Sequence, residues 1–176
     1  MTRLPVDRLT LSISLALLAP TLASAQQQPA PPTRPPTCTT PTHAAFDYWV
    51  GEWIVADTTG RDIAESSISK LADGCAVLEQ WRPRGGPQGT SLNWVEATDG
   101  KWHQRWISGA SPSVLFVGGA TNGIMQLTTP GGPGTKQWAR MTWLKRPGGV
   151  VRQIFENSTD GTTWVANFVG DYRPKY

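Results

Sequence analysis

Few side chains in this sequence are equipped for chemistry. Histidine occurs twice, at His43 and His103, and cysteine twice, at Cys38 and Cys75. Nucleophilic catalysis needs a base held beside a Ser, Cys or Thr. His43 sits at the edge of a Pro-rich leader. His103 lies in the run Lys101-Trp102-His103-Gln104-Arg105-Trp106, where strand alternation puts it on the face of Lys101 and Arg105. There is no C-x-x-C and no metal-ligand spacing, and no cofactor is expected. The more interesting group is Glu79, in Val77-Leu78-Glu79-Gln80-Trp81. Alternation carries it to the side of Val77 and Trp81, and a carboxylate turned inward needs a partner or a raised pKa. It could act as an acid, a base or an anchor for a ligand. It could equally be half of a buried ion pair with Arg140 or Arg152, with Gln104 as a hydrogen-bond donor.

Tryptophan is the other conspicuous residue, with nine in the chain. Large aromatics bury a great deal of area each and serve as core. They also wall cavities that hold flat or apolar ligands. The expectation is a site in which Trp53, Trp102, Trp106 and Trp164 wall a cavity. Glu79, Gln104 and Arg152 would orient the polar end of a small apolar or amphipathic ligand. Parity carries these choices: Trp49, Gly51, Trp53 and Val55 share a face, and so do Trp102, Gln104 and Trp106. Trp164, Ala166, Phe168, Gly170 and Tyr172 make a third such set. For 150–158 the inward face stays open between Arg152, Ile154 and Glu156 and the opposing Val151, Gln153 and Phe155.

The elements that must position these residues are strands. Short runs rich in β-formers span Trp49–Asp57, Ala64–Leu71, Ala76–Arg82, Thr90–Ala97 and Lys101–Ser108. Val114–Gly118, Ile124–Thr129, Gln137–Lys145, Val150–Ser158 and Thr163–Tyr172 follow. Between them stand Asp73-Gly74, Asp99-Gly100, Asn122-Gly123 and Asp160-Gly161, dipeptides suited to hairpin turns with positive φ. One helical turn is expected over His43 to Tyr48. The gaps are too short for parallel crossovers, so about ten antiparallel strands follow one another as a meander. Closure into a barrel removes the two exposed edges. A two-sheet sandwich is the alternative.

The N-terminus has the texture of an export signal. Arg3 and Arg8 precede the apolar run Leu9 to Leu18, and Ala23-Ser24-Ala25 matches a signal-peptidase site. The run is too short for a membrane-spanning helix. The expected organisation is a signal over 1–25, a Pro-rich disordered tether over 26–42, and one β-barrel domain over 43–176. The mature protein is expected to be periplasmic or secreted, without a membrane span. In an oxidising compartment Cys38 and Cys75 are expected to form a disulfide. A formal charge of +3, scattered along the chain, is no nucleic-acid footprint.

Phe46-Asp47-Tyr48-Trp49-Val50-Gly51-Glu52-Trp53 resembles the FDFW-x-G-x-W opening of bacterial domain families of unknown function, often exported. Gly74 to Trp81, Asp99 to Trp106 and Asp160 to Trp164 extend the resemblance over 46–172. Gly51-Glu52-Trp53 is also similar to the G-x-W that opens lipocalins and related calycin barrels, where the Trp packs across the barrel floor. The resemblance implies a calycin-like barrel with an internal cavity and implies no reaction. Some calycin-like barrels resembling nitrobindin bind haem through a histidine. Here no histidine lies near the C-terminal strands where that pattern places the ligand, which leaves His103 as the sole candidate. Three readings follow: a binding module, an enzyme using Glu79 as acid or base, and an interaction domain whose barrel is filled by its own tryptophans.

Overall fold

The computed structural model describes residues 38–131, 134 and 136–175. The expected signal over 1–25 and most of the expected tether lie outside these residues. The end of that tether is structured: Cys38 is bonded to Cys75, and Thr40 caps a one-turn helix α1 (Pro41–Ala44). A 3-10 turn follows over Asp47–Trp49.

Ten strands then run antiparallel in chain order. They are β1 (Gly51–Ala56), β2 (Asp62–Leu71), β3 (Ala76–Pro83), β4 (Gly89–Val95) and β5 (Trp102–Ser108). The rest are β6 (Ser111–Thr121), β7 (Ile124–Thr128), β8 (Trp138–Lys145), β9 (Val151–Ser158) and β10 (Val165–Pro174). Each pairs with its sequence neighbour, and β1 pairs with β10, so the sheet closes as an up-and-down barrel. The chemistry of the turns accounts for the order. Asn122 and Gly123 both hold positive φ (52° and 77°), the geometry of a two-residue hairpin loop between β6 and β7. Closure satisfies the backbone of every strand and leaves no edge to template aggregation.

The meander makes the two ends of the barrel different. The N-terminal segment enters beneath β1 and closes one end with aromatic rings. Phe46 stacks on Trp49 at 4.7 Å between centroids and meets Trp102 and Trp143 edge-on at 5.6 and 5.0 Å. Trp49, Trp102, Trp143 and Phe46 are all essentially excluded from solvent. Three polar atoms of this plug are tied to backbone, Trp53 Nε1 donating to the Trp49 carbonyl, Trp102 Nε1 to that of Thr42 and Tyr48 Oη to that of Trp143, while the buried Nε1 atoms of Trp49 and Trp143 have no hydrogen-bond partner among the described residues. Burial pushes the Tyr48 hydroxyl up to about 12. An Asp47–Lys70 ion pair at 2.6 Å pins the 3-10 turn to β2. Among the described residues no helix is long and apolar enough to cross a membrane.

Candidate functional site

Inward positions change character along the barrel. Next to the plug they are large and apolar, at mid-height they are polar, and toward the other end they are aromatic again around open space. The polar layer comes from adjacent strands in register. Ile68 on β2 pairs with Glu79 on β3, and Glu79 pairs with Ser91 on β4. Asn93 on β4 pairs with Gln104 on β5. On β4 the usual pattern is inverted, with Ser91 and Asn93 fully buried while Leu92 is 42% exposed. Burying hydroxyl and amide groups is unfavourable unless they bond to one another, and here they do, apart from Gln104 Oε1, which has no hydrogen-bond partner among the described residues.

Glu79 is the centre of that layer. Ser66 Oγ donates to its Oε1 at 3.1 Å and Ser91 Oγ to its Oε2 at 3.0 Å. Tyr172 Oη lies 3.1 Å from Oε1 and 2.6 Å from Gln153 Oε1, while Gln153 Nε2 faces Met141 Sδ at 3.4 Å. Asn93 Nδ2 donates to Ser91 Oγ, and Gln104 Nε2 donates to Asn93 Oδ1 at 2.7 Å. Burial raises the Glu79 carboxyl to about 7, against the lowering effect of the hydrogen bonds from Ser91, Tyr172 and Ser66. Burial and the adjoining carboxylate also push the Tyr172 hydroxyl well above 10. The phenol has one proton, which goes to the Glu79 carboxylate when that is ionised or to the Gln153 amide oxygen at 2.6 Å when Glu79 is protonated and itself donates to Tyr172 Oη. The chain Glu79, Tyr172, Gln153 is thus fully satisfied with Glu79 neutral.

Above this layer lies a cavity of about 370 Å³, near the small end of small-molecule sites. Glu79, Gln153 and Tyr172 form its floor. Trp81, Trp106, Phe116, Phe155 and Phe168 form most of its wall, and Ser108, Ala110 and Ser111 from the β5–β6 hairpin stand at its rim. Two glycines make room for the rings. A Cβ at Gly89 would fall 2.3 Å from the Trp106 ring, and one at Gly170 would fall 2.6 Å from the Phe168 ring.

No protein-family model matches the chain, and no curated protein matches it in sequence. The site's own geometry carries the functional reading.

The residues expected at this site separate into three groups. Glu79 and Trp106 line the cavity. Gln104 lies behind it, reaching Glu79 only through Ser91 and Asn93. Trp53 and Trp102 belong to the plug and do not line the cavity. Besides Gln104, Trp53 and Trp102, two more of the expected residues lie away from the cavity. Arg152 is on the outer surface, in a two-bond pair with Asp171 of β10 at 2.7 Å, because Val151, Gln153 and Phe155 are the residues of β9 that turn inward. Trp164 is also outside, beneath the Arg140 guanidinium at 4.2 Å. A bulge between Ala166 and Phe168 inserts one residue into β10 and reverses the alternation there. Neither arginine meets Glu79, since Arg140 pairs with Glu156. His103 sits on the outer face against Asp99 at 2.9 Å and presents no ligand to the cavity. Ser66, Ser91 and Gln153 were absent from the expected site. Their signal was available only through register: Ser91 pairs with Glu79, Ser66 pairs with Trp81 and so lies diagonal to Glu79, and Gln153 pairs with Gly170 and so lies diagonal to Tyr172.

Proposed function

We propose that this is an exported, lipocalin-like protein that binds a small apolar or amphipathic ligand inside its barrel. The observation that carries the reading is the open cavity of about 370 Å³, aromatic on its walls, with its buried polar groups at the floor and two serines at the rim. Such a division suits a ligand with an apolar body and one polar end. The cavity weighs against a barrel filled by its own tryptophans, which gather in the plug instead. Export is supported by the composition of residues 1–25 and by the Cys38–Cys75 bond, since disulfides persist in oxidising compartments.

Trp81 and Trp106 on the wall make the reading testable by intrinsic fluorescence titration with a panel of lipophiles. Saturable quenching or blue shift is expected in the wild type. Val114 also lines the cavity, and Val114→Trp, which places a third indole there, should abolish that response. A panel without a saturable response, or undiminished binding by the filled variant, would overturn the reading.

One observation favours a second reading, in which the protein is an enzyme. A carboxyl at about 7 beside a tyrosine hydroxyl is suited to proton transfer near neutral pH. Glu79→Gln would then abolish turnover while leaving ligand affinity in place.

A further inference from the structure

The charge inventory of the cavity is one-sided. Its lining contains one ionisable carboxyl, Glu79, and no lysine, arginine or histidine. The two arginines best placed by sequence to enter, Arg140 and Arg152, are bound to Glu156 and Asp171 on the outside. From the elements packed around it Glu79 meets Ser66 (β2), Ser91 (β4) and Tyr172 (β10), and Tyr172 in turn meets Gln153 (β9). Tyr172 alone among them titrates, and it stays neutral throughout the accessible range.

A ligand carboxylate placed here would lie beside Glu79 with no cation to meet it, in a site that water screens poorly. A cation meets the opposite conditions. It pairs with the Glu79 carboxylate, in a space lined by the rings of Trp81, Trp106, Phe155 and Phe168, a side-chain class that attracts cations. We propose that the cavity selects organic cations, a protonated amine on a compact apolar body, with the ammonium held by Glu79 and the body against the aromatic wall. The inference rests on the ligand-binding reading above and specifies the ligand's charge.

Binding is then coupled to a proton. Below about pH 7 the empty site holds Glu79 neutral, and an incoming ammonium displaces that proton into solution. The ligand arrives charged, so charge balances within the site.

Three probes of one shape and different charge test this: 4-phenylbutylamine, 4-phenylbutan-1-ol and 4-phenylbutanoate, titrated calorimetrically into the wild-type protein. At pH 8 the amine should bind at least tenfold more tightly than the alcohol, with the acid weakest. Glu79→Gln should bring the amine to the alcohol's affinity in the same variant. A measurement on the unaltered protein avoids any effect of that substitution on folding. At pH 6, amine titrations in buffers of different ionisation enthalpy should report release approaching one proton per ligand, and alcohol titrations none. Alcohol binding without preference for the amine, or an amine preference without proton release, overturns the charge assignment while the ligand-binding reading stands. Failure of all three probes, together with a silent fluorescence panel, overturns both.

Discussion

Glu79 is an uncommon choice for the inside of a small barrel, because its charged form must leave water. Its pKa rises from 4.5 to about 7, so the folded state binds more protons than the unfolded chain between those values. Stability conferred by the neutral form is therefore complete below about pH 4.5 and is lost as pH rises through 7. A shift of this size corresponds to about 3 kcal/mol. Wild-type unfolding free energy in urea should fall by that order between pH 5 and pH 8, and Glu79→Gln should flatten the fall. An equal fall in the variant would assign it to other groups. Inward orientation of Glu79 was legible from alternation with Val77 and Trp81. Its partners were not, since an arginine and a set of hydroxyls satisfy a buried carboxyl equally well on paper. The composition of β9 left that choice open, because each of its faces combines apolar and polar residues. Burial resolves it: Gln153 can be enclosed with hydrogen bonds, whereas Arg152 is better served by Asp171 in partial contact with water.

At the level of elements, ten strands were readable with their ends displaced by up to three residues, most in β6 (Ser111–Thr121, against the expected Val114–Gly118), because Asx-Gly dipeptides mark positions where the backbone must take positive φ. What escaped was the bulge in β10. One inserted residue turns Phe168, Gly170 and Tyr172 inward while moving Trp164 to the outer surface, and nothing in a two-residue period announces it. The same strand shows how glycine shapes the site. Gly170 lies under the Phe168 ring as Gly89 lies under Trp106. Gly89→Ala should push the Trp106 indole toward the cavity, costing roughly 1–2 kcal/mol of stability and weakening binding of any lipophile found in the panel several-fold. Unaltered affinity would mean that the ring swings elsewhere. The disulfide acts on a different element. Cys38 lies just before α1 and Cys75 just before β3, so the bond fastens the plug segment at its free end while β1 holds the other. The two cysteines are 37 residues apart, and in the chain-entropy account cross-linking such a loop contributes about 4 kcal/mol. Cys75→Ser should lower the unfolding free energy by roughly 2–4 kcal/mol, measured by urea denaturation without reductant. A loss below 1 kcal/mol would show the plug to be held by packing alone.

Over the whole molecule, aromatic residues serve two opposed purposes at the two ends of one barrel. Phe46 meets Trp49, Trp102 and Trp143, Trp49 meets Trp143, and all four are fully enclosed, so each ring's apolar surface contributes the whole of its burial to stability. Phe155 and Phe168 are only partly enclosed, and one side of each faces the cavity. Rings that border open space forgo contacts on that side, and the protein bears this loss where a ligand can restore it. Composition alone could not reveal the division, since nine tryptophans suit a filled barrel as well as a lined one. It emerges because the chain leading into β1 supplies rings to one end only. Phe46→Ala and Phe155→Ala make the comparison direct, deleting the same ring at each end. The first should cost about 3–5 kcal/mol, the range for a fully buried phenylalanine, and the second distinctly less, because its site is already open. Ligand affinity should respond in the opposite order, with Phe155→Ala weakening binding and Phe46→Ala leaving it near wild type once the protein is folded. Urea midpoints and fluorescence titrations on the two variants read both quantities. Equal losses of stability would mean that the aromatic residues form a single continuous core and that the cavity closes in solution.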